Sequence, residues 1–146
     1  MPESPVRLRR AKLTDAVRVA ELSGELGYPA TPAEMKSRLA SLKPAAQHAV
    51  FLAEVDRFVV GWIHVSVAPL LEVPLRAEIN GLVVAEGHRS HGAGARLLEA
   101  AEKWARSKRC KGMSVRSNVI RDRAHLFYER YGYIHCKTQK AFRKPL

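Results

Sequence analysis

Apolar residues recur along the chain with two different periods, which predicts strands and helices in a mixed order. Runs rich in β-branched and aromatic residues predict strands at 6–9, 49–55, 58–67, 77–85, 113–117 and 133–142. Helical spacing predicts helices at 15–26, 32–42, 95–108 and 122–130. Because a helix connects strands 77–85 and 113–117, we expect these two strands to be adjacent and parallel. The pattern therefore predicts a mixed α+β fold in a single domain spanning residues 1–146.

Local signals predict where several elements begin. Thr31-Pro32-Ala33-Glu34 reads as a capping box with proline at the first helical position. Thr14 is expected to be the N-cap of the first helix, with Asp15 as an acid in its first turn. Asp56-Arg57 separates two strand-like runs, which predicts a tight antiparallel hairpin.

The chain has 146 residues and a formal net charge of +11, and the positive excess lies in its last third. Residues 1–100 carry 12 Lys and Arg against 11 Asp and Glu, whereas residues 101–146 carry 13 against 3. A basic segment of this kind is typical of nucleic-acid binding, of anionic-cofactor binding and of plain solvated surface, and charge alone does not choose. No DNA- or RNA-binding motif accompanies the charge, so nucleic acid is not the expected partner.

The remaining composition bounds the location and the cofactors. No apolar run approaches the roughly 20 residues that span a bilayer, and the N-terminus lacks the layout of a signal peptide. We therefore expect a cytoplasmic protein without membrane contact. Cys110 and Cys136 fit no metal or redox spacing, which predicts two free thiols and no metal site.

The segment Arg-Ser-His-Gly-Ala-Gly at 89–94 joins the predicted strand 77–85 to the following helix. The first N–H groups of a helix have no intrahelical partner, the helix dipole favours an anion there, and glycines allow a close approach. The segment is therefore either an ordinary glycine turn or a phosphate site. Leu97 stands where a dinucleotide fingerprint needs its third glycine, and the Gly-Lys-Ser/Thr of a triphosphate loop is absent. Both of those phosphate loops are excluded.

Two motifs at a fixed distance change this picture. Arg-x-x-Gly-x-Gly at Arg89, Gly92 and Gly94 is followed 24 residues later by Asn118, and then by Ala-His-Leu-Phe-Tyr-Glu-Arg-Tyr-Gly-Tyr at 124–133. With these motifs the chain resembles the GNAT N-acetyltransferase superfamily. The resemblance covers the element order of the whole chain, and its specific motifs lie between Leu82 and Tyr133. It implies a GNAT-like central twisted mixed sheet of six to seven strands, splayed between strands 77–85 and 113–117 and flanked by about four helices.

The resemblance also implies acetyl-CoA as co-substrate. Its pyrophosphate is expected on the N–H groups of the glycine turn, and its pantetheine arm along main-chain groups of the preceding strand. A second interpretation of Asn118 is that it only turns the chain before the last helix. Arg121, Arg123 and Lys111 are candidates for the 3′-phosphate. The expected cofactor residues are Leu82, Val83, Val84, Arg89, Ser90, His91, Gly92, Ala93, Gly94, Ala95, Asn118, Arg123 and Tyr128.

Acetyl transfer to an amine needs a base, a donor to the developing oxyanion and a proton for the leaving thiolate. The resemblance implies Tyr128 as general acid and the backbone N–H of Val84 as oxyanion donor. Glu78 is the first candidate base, with Glu72 and His64 as others, although Glu78 is equally well explained as a solvent-facing residue or a partner of an arginine. Glu78 lies six residues before Val84, so the two-residue period predicts both side chains on one face.

The acceptor is expected to be a primary amine of a small molecule, such as an aminoglycoside or a polyamine, attacking directly in a ternary complex. Glu25, Tyr28, Glu72 and Glu78 are the candidate acceptor-binding residues. Two alternatives remain open. One is a protein or peptide N-acetyltransferase, and the other is a non-enzymatic module that binds nucleic acid or senses acetyl-CoA. The sequence does not give the oligomeric state, and the resemblance implies a homodimer through exposed strands or the segment Pro69 to Arg76 as one option.

Overall fold

A computed structural model describes residues 4–42, 46–89 and 91–146 of the chain. The chain forms two compact units, Met1–Val115 and Arg116–Leu146. Among the described residues, the first unit contains strands β1 (Arg7–Arg10), β2 (His48–Val55), β3 (Phe58–Val67), β4 (Arg76–Val84) and β5 (Gly112–Val115), and helices α1 (Ala16–Glu25), α2 (Pro32–Ser41) and α3 (Ala93–Ser107). The second unit contains α4 (Asp122–Arg130). The prediction of one domain stays a prediction.

The five strands form one mixed sheet in the order β1-β2-β3-β4-β5. The pairs β1–β2, β2–β3 and β3–β4 are antiparallel, whereas the pair β4–β5 is parallel. The α+β class and the parallel pair across the α3 crossover are therefore confirmed. The hairpin between β2 and β3 has Asp56 at φ 51° and Arg57 at φ 66°, as a two-residue turn of the type I′ class requires.

The start of α2 follows its predicted capping box. The Thr31 hydroxyl accepts the Glu34 N–H at 3.1 Å, and a Glu34 carboxylate oxygen accepts the Thr31 N–H at 2.9 Å. The expected N-cap at Thr14 is wrong, because a 3-10 turn over Leu13–Asp15 precedes α1. The Asp15 carboxylate instead accepts the Lys12 N–H and pairs with Arg9 at 2.7 Å, which lowers the pKa of Asp15.

The sheet carries helices on both faces. Trp62 packs with the buried residues of α1 and α2, and its strand neighbours His64 and Ser66 share that side, which we call the α1/α2 face. Gly61 points the other way, since a β-carbon there would lie 3.2 Å from Leu97 of α3. The largest fully buried side chains are Leu22, Leu52, Ile63, Leu97, Leu98, Val60 and Val65. This core fixes the orientation of β4, which is the strand that matters for the site.

A β-bulge lies in the middle of β4. His64 is opposite Gly81 and Val65 is opposite Ile79, so Asn80 is the extra residue. One extra residue reverses the alternation of the strand. Glu78 therefore faces the α1/α2 side, opposite Ser66, while Val84 faces α3, opposite Gly61. The prediction that Glu78 and Val84 share a face is wrong for this reason.

Among the described residues, the sheet has five strands, fewer than the expected six to seven. Residues 133–142, predicted as the last strand, form no ladder within the described chain. Their apolar side chains are not gathered on a buried face: Ile134 and Phe142 are each 88% exposed. A strand that buries no face and pairs with no neighbour has nothing to offset its ordering entropy.

Candidate functional site

The residues predicted to bind the pyrophosphate lie at the N-terminus of α3. Gly92 is the N-cap residue and has φ +89°, a left-handed conformation that favours glycine. The Gly92 carbonyl accepts the Arg96 N–H at 3.0 Å, which is the first bond of the helix. The N–H groups of Ala93, Gly94 and Ala95 precede that bond and have no intrahelical acceptor. They point out of the helix end, where the dipole attracts negative charge.

Three backbone N–H groups in the connection from β4 to α3 donate hydrogen bonds. Ala85 donates its N–H to the Val60 carbonyl at 2.7 Å, and His88 donates to Ala85 at 2.8 Å within the 3-10 turn Glu86–His88. The Glu86 N–H donates to the Glu25 carboxylate at 3.1 Å. Glu25, predicted to bind the acceptor, thus supports this connection. Ser90 lies outside the described residues, and His91 is exposed at the start of the glycine turn.

The Arg89 side chain is bonded to the end of β4. Its Nε donates to the carbonyl oxygen of Val84 at 3.0 Å. The side chain is half-buried, and it lies between the end of β4 and the glycine turn in the sequence. The cation predicted to face a phosphate is therefore also bonded to the strand that carries the predicted oxyanion donor.

Among the described residues of the first unit, no strand pairs with β4 beyond the bulge on the edge that faces β5, and we call this stretch the open edge. The β4–β5 ladder ends at the pair Ile79 and Val115, while β4 continues to Val84. Because the Ala85 N–H bonds to β3, the alternation of a strand directs the main-chain groups of Val84 and Leu82 to the open edge. The main-chain groups of Val83, predicted with them, are directed to β3 by the same alternation. An N–H donor and an extended backbone are thus presented at this edge.

The α1/α2 face beside the bulge carries polar groups in an apolar setting. His48 Nδ1 lies 3.1 Å from His64 Nε2, and the Asn80 amide donates to Ser66 Oγ at 2.8 Å. Burial, together with repulsion from His48, lowers the pKa of His64 to about 4, so that its imidazole is neutral at pH 7. Glu78 is half-buried on this face, directly across from Ser66.

The neighbouring indole was not predicted from the sequence. Trp62 covers Gly81 so closely that a β-carbon there would stand 2.8 Å from its ring. Within the described chain, the Trp62 indole nitrogen is buried without an acceptor. The signal in the sequence was Gly81 itself, because a glycine inside a strand marks a bulge or a close approach. Two other candidates, Tyr28 and Glu72, are exposed on connections between elements.

The second unit contains the other two motif residues. Asn118 Oδ1 accepts the Ile120 N–H at 3.2 Å, and the Asn118 carbonyl accepts the Arg121 N–H at 3.0 Å. This is the turn-forming role given above as the second interpretation. Its amide nitrogen takes no part in these two bonds. Arg123 is exposed in the first turn of α4.

Tyr128 lies within an aromatic cluster of the same unit. Its ring contacts Phe127 edge-on at 5.3 Å and lies 5.6 Å from Tyr133, centroid to centroid. Burial raises the pKa of Tyr128 to about 12, because the phenolate is disfavoured away from water. The phenol therefore keeps its proton throughout the neutral range and acts as a hydrogen-bond donor.

Two further observations concern the described residues as a whole. No helix in them is long and apolar enough to cross a membrane. They also contain no grouping of three or more His, Cys, Asp or Glu side chains placed to hold a metal ion.

Comparisons with known proteins bear on the family and the fold. A model of the acetyltransferase (GNAT) family matches residues 17–133. Aminoglycoside N(6')-acetyltransferase type 1 of Klebsiella aerogenes is 27% identical over 153 aligned residues, which cover 100% of both chains.

Solved structures share the fold at lower identity. An aminoglycoside N-acetyltransferase, AAC(6')-Iy, determined in complex with CoA, has a TM-score of 0.87 at 17% identity, covering 99% of this chain and 98% of the other. A transcriptional regulator from Bacillus halodurans C-125 has a TM-score of 0.82 at 22% identity, covering 94% of this chain and 100% of the other. One fold thus occurs in proteins described by different functions, and the site has to decide the activity.

Proposed function

Since the family model spans most of its length, the chain belongs to the acetyltransferase (GNAT) family, and we propose that it moves the acetyl group of acetyl-CoA to a primary amine of a small molecule. The observation that carries this proposal is the β4–α3 junction, which we define as residues 84–95. There an open strand edge, an arginine and the N-terminus of a helix follow one another within twelve residues.

The donor is held mainly by backbone. The N–H groups of Ala93, Gly94 and Ala95 bind the pyrophosphate, with the Arg89 guanidinium adding positive charge. The open edge at Leu82 pairs with the amide groups of the pantetheine arm as a strand would, and the Val84 N–H of the same edge faces the thioester. A bound amide ligand satisfies polar groups that the sheet itself leaves unpaired. In this proposal Asn118 binds the pantetheine and Arg123 binds the 3′-phosphate.

The Val84 N–H polarises the acetyl carbonyl. Attack by the amine places negative charge on the carbonyl oxygen, and a preorganised N–H donor stabilises that charge. The bonds that change are then simple to follow. A C–N bond forms, the C–S bond breaks, the amine proton moves to a base and the thiolate sulfur receives a proton. Direct attack in the ternary complex needs no covalent enzyme intermediate.

Glu78 is the proposed base. An amine resembling lysine has a pKa near 10.4, so only on the order of one molecule in a thousand is neutral at pH 7. A carboxylate on the α1/α2 face binds the ammonium group and takes one of its protons before attack, so that the neutral amine forms the C–N bond. His64 shares that face, but burial together with repulsion from His48 lowers its pKa to about 4, so its neutral imidazole offers no charge to hold the ammonium form.

Tyr128 is the proposed acid. Its phenol stays protonated because burial raises its pKa to about 12, whereas a thiolate has a pKa near 8.5. Full transfer of the proton from the phenol to the sulfur is therefore uphill. The hydroxyl first donates a hydrogen bond to the sulfur, and the proton moves to the sulfur as the C–S bond breaks.

The proposed acceptor class is a polyamine or an aminoglycoside. It is supported by the Klebsiella aerogenes relative and by two carboxylates, the half-buried Glu78 and the exposed Glu72, which suit a polycationic amine. The test is a panel of aminoglycosides, polyamines, amino acids and peptides, incubated with acetyl-CoA while free thiol is measured and products are weighed by mass spectrometry. Acetylated small amines support the proposal. Acetylated peptides alone indicate a protein acetyltransferase, and salt-sensitive binding of nucleic acid without any transfer indicates a non-enzymatic module.

A further inference from the structure

The backbone around Val84 is fixed on three sides. The Val84 carbonyl accepts Arg89 Nε at 3.0 Å, and the N–H of the same peptide group, that of Ala85, donates to Val60 at 2.7 Å. The preceding carbonyl, Val83, lies against Gly61, where a β-carbon would stand only 2.7 Å from its oxygen. Because a trans peptide directs its N–H opposite to its C=O, the Val84 N–H points away from β3 to the open edge.

Of these three restraints, one comes from a side chain that also belongs to the phosphate site. The contacts of Ala85 and Val83 are made with β3 and belong to the sheet. The Arg89 contact crosses from the glycine turn back to the strand. A guanidinium has five N–H donors in a rigid plane, so one arginine can hold a carbonyl through Nε and an anion through its outer nitrogens.

We infer that Arg89 is a positioning residue for the reaction: by holding the Val84 carbonyl, it keeps the Val84 N–H aimed at the acetyl oxygen, and it ties this alignment to the phosphate site. The inference rests on the proposed function and adds a second role for Arg89, separate from its charge. A donor misplaced by about 1 Å loses much of its effect on the developing oxyanion, on the order of 100-fold in rate.

The chemistry of three side chains separates the two roles. Glutamine carries an amide nitrogen at the position of the arginine Nε, so Arg89→Gln loses the charge and keeps a donor for Val84. Methionine has similar length and no donor, so Arg89→Met loses both. The two variants therefore share any defect in phosphate binding and differ in the bond to the Val84 carbonyl. Arg106→Gln, an exposed arginine at the other end of α3, is the control for loss of one charge.

The experiment measures kcat at saturating acetyl-CoA and the dissociation constant of CoA by calorimetry. It also measures the rate with S-acetylpantetheine, an acetyl donor that has no phosphate group. We expect both Arg89 variants to bind CoA more weakly and to the same extent. Arg89→Gln keeps kcat within about threefold of the unmodified chain, whereas Arg89→Met loses a further tenfold to 100-fold, with both donors. Thermal unfolding midpoints identify any variant that has failed to fold, and Arg106→Gln is expected to match the unmodified chain.

Equal kcat values for Arg89→Gln and Arg89→Met overturn the inference and leave Arg89 as a phosphate ligand only. If the unmodified chain is too slow with S-acetylpantetheine, the comparison at saturating acetyl-CoA decides alone. Should Arg89→Met fail to fold, Arg89→Leu, which also lacks a donor, replaces it in the comparison with Arg89→Gln, and equal kcat values again overturn the inference. Failure of the proposed function looks different, since the unmodified chain then transfers no acetyl group to any amine.

Discussion

The β4–α3 junction and the α1/α2 face are built on opposite principles. At the junction, recognition groups are main-chain N–H donors whose directions are set by the sheet, the helix end and a left-handed glycine. On the α1/α2 face, the candidate groups are side chains such as Glu78, His64 and Trp62, attached around a bulge. A site made of backbone donors depends on few side chains, here the glycines and Arg89, whereas a side-chain site changes with each substitution. This is why the donor is easier to infer than the acceptor.

The largest effect should come from charge at the junction. Gly92→Asp places a carboxylate where we propose that the pyrophosphate binds. At about 4 Å with an effective dielectric constant of 20, the repulsion is about 4 kcal/mol, roughly 1,000-fold in affinity. Gly92→Asn has the same shape and the same left-handed strain without the charge. Calorimetry with CoA should therefore show the aspartate variant binding far more weakly than the asparagine variant. Equal affinities of the two variants for CoA would contradict the proposal that a phosphate group binds at this turn.

Tyr128→Phe tests a residue of the second unit and leaves the sequence of the β4–α3 junction unchanged. We expect turnover to fall by roughly 10-fold to 10,000-fold, the range of general acid catalysis, while the dissociation constant of CoA changes little. Steady-state kinetics at saturating acetyl-CoA measure the loss. Tyr131→Phe, in the same aromatic cluster, is the matched control. An unchanged turnover for Tyr128→Phe excludes the phenol from the reaction.

Glu78→Gln tests the α1/α2 face. Losing the carboxylate should lower kcat/KM for the amine by about 100-fold and leave CoA binding intact, because Glu78 lies opposite Ser66, remote in the strand from Val84. The same substitution at the exposed Glu72 is expected to change kcat/KM by much less. If both variants keep the full rate, the base is elsewhere and the assignment of Glu78 is withdrawn.

The smallest predicted effect is on stability. The pKa of His64 is about 4 in the folded chain, below its ordinary value of 6.5, so between pH 6.5 and 4 the unfolded chain binds more protons. Stability is therefore expected to fall as the pH is lowered through this window, by about 1 to 2 kcal/mol from this group after allowing for partial exposure, or roughly 3 to 6 °C in Tm. His64→Gln should flatten the fall, and His135→Gln, an exposed histidine, should not. Scanning calorimetry at pH 7 and pH 5 compares them, and parallel curves for all three chains would be inconsistent with a buried neutral His64.

The contrast between the two regions also explains what the sequence could predict. The hairpin at Asp56-Arg57, the capping box at Thr31 and the helix at Asp122–Arg130 follow from local rules and occur in the structure as expected. The glycine turn could be predicted in the same way, because a left-handed φ and a helix N-terminus both favour particular residue types.

The features that were missed depend on partners that are distant in the chain. The bulge at Asn80 is set by how β4 fits β3, and it moved Glu78 to the face opposite the Val84 side chain. The pairing of His48 with His64 needs the register of two strands. The bond from Arg89 to Val84 needs the shape of the turn between them. None of these is encoded in a local period, so they appear only once the sheet is assembled.

The central claim is that main-chain N–H groups of the β4–α3 junction hold the acyl donor. Proton–nitrogen NMR of the unmodified chain, titrated with CoA, tests it most directly, because it reports on individual amides. We predict saturable shifts of the amides of Gly92, Ala93, Gly94, Ala95 and Val84, with those of β1 unmoved. Saturable binding that leaves these five amides unshifted, or no binding at millimolar CoA, would contradict the account.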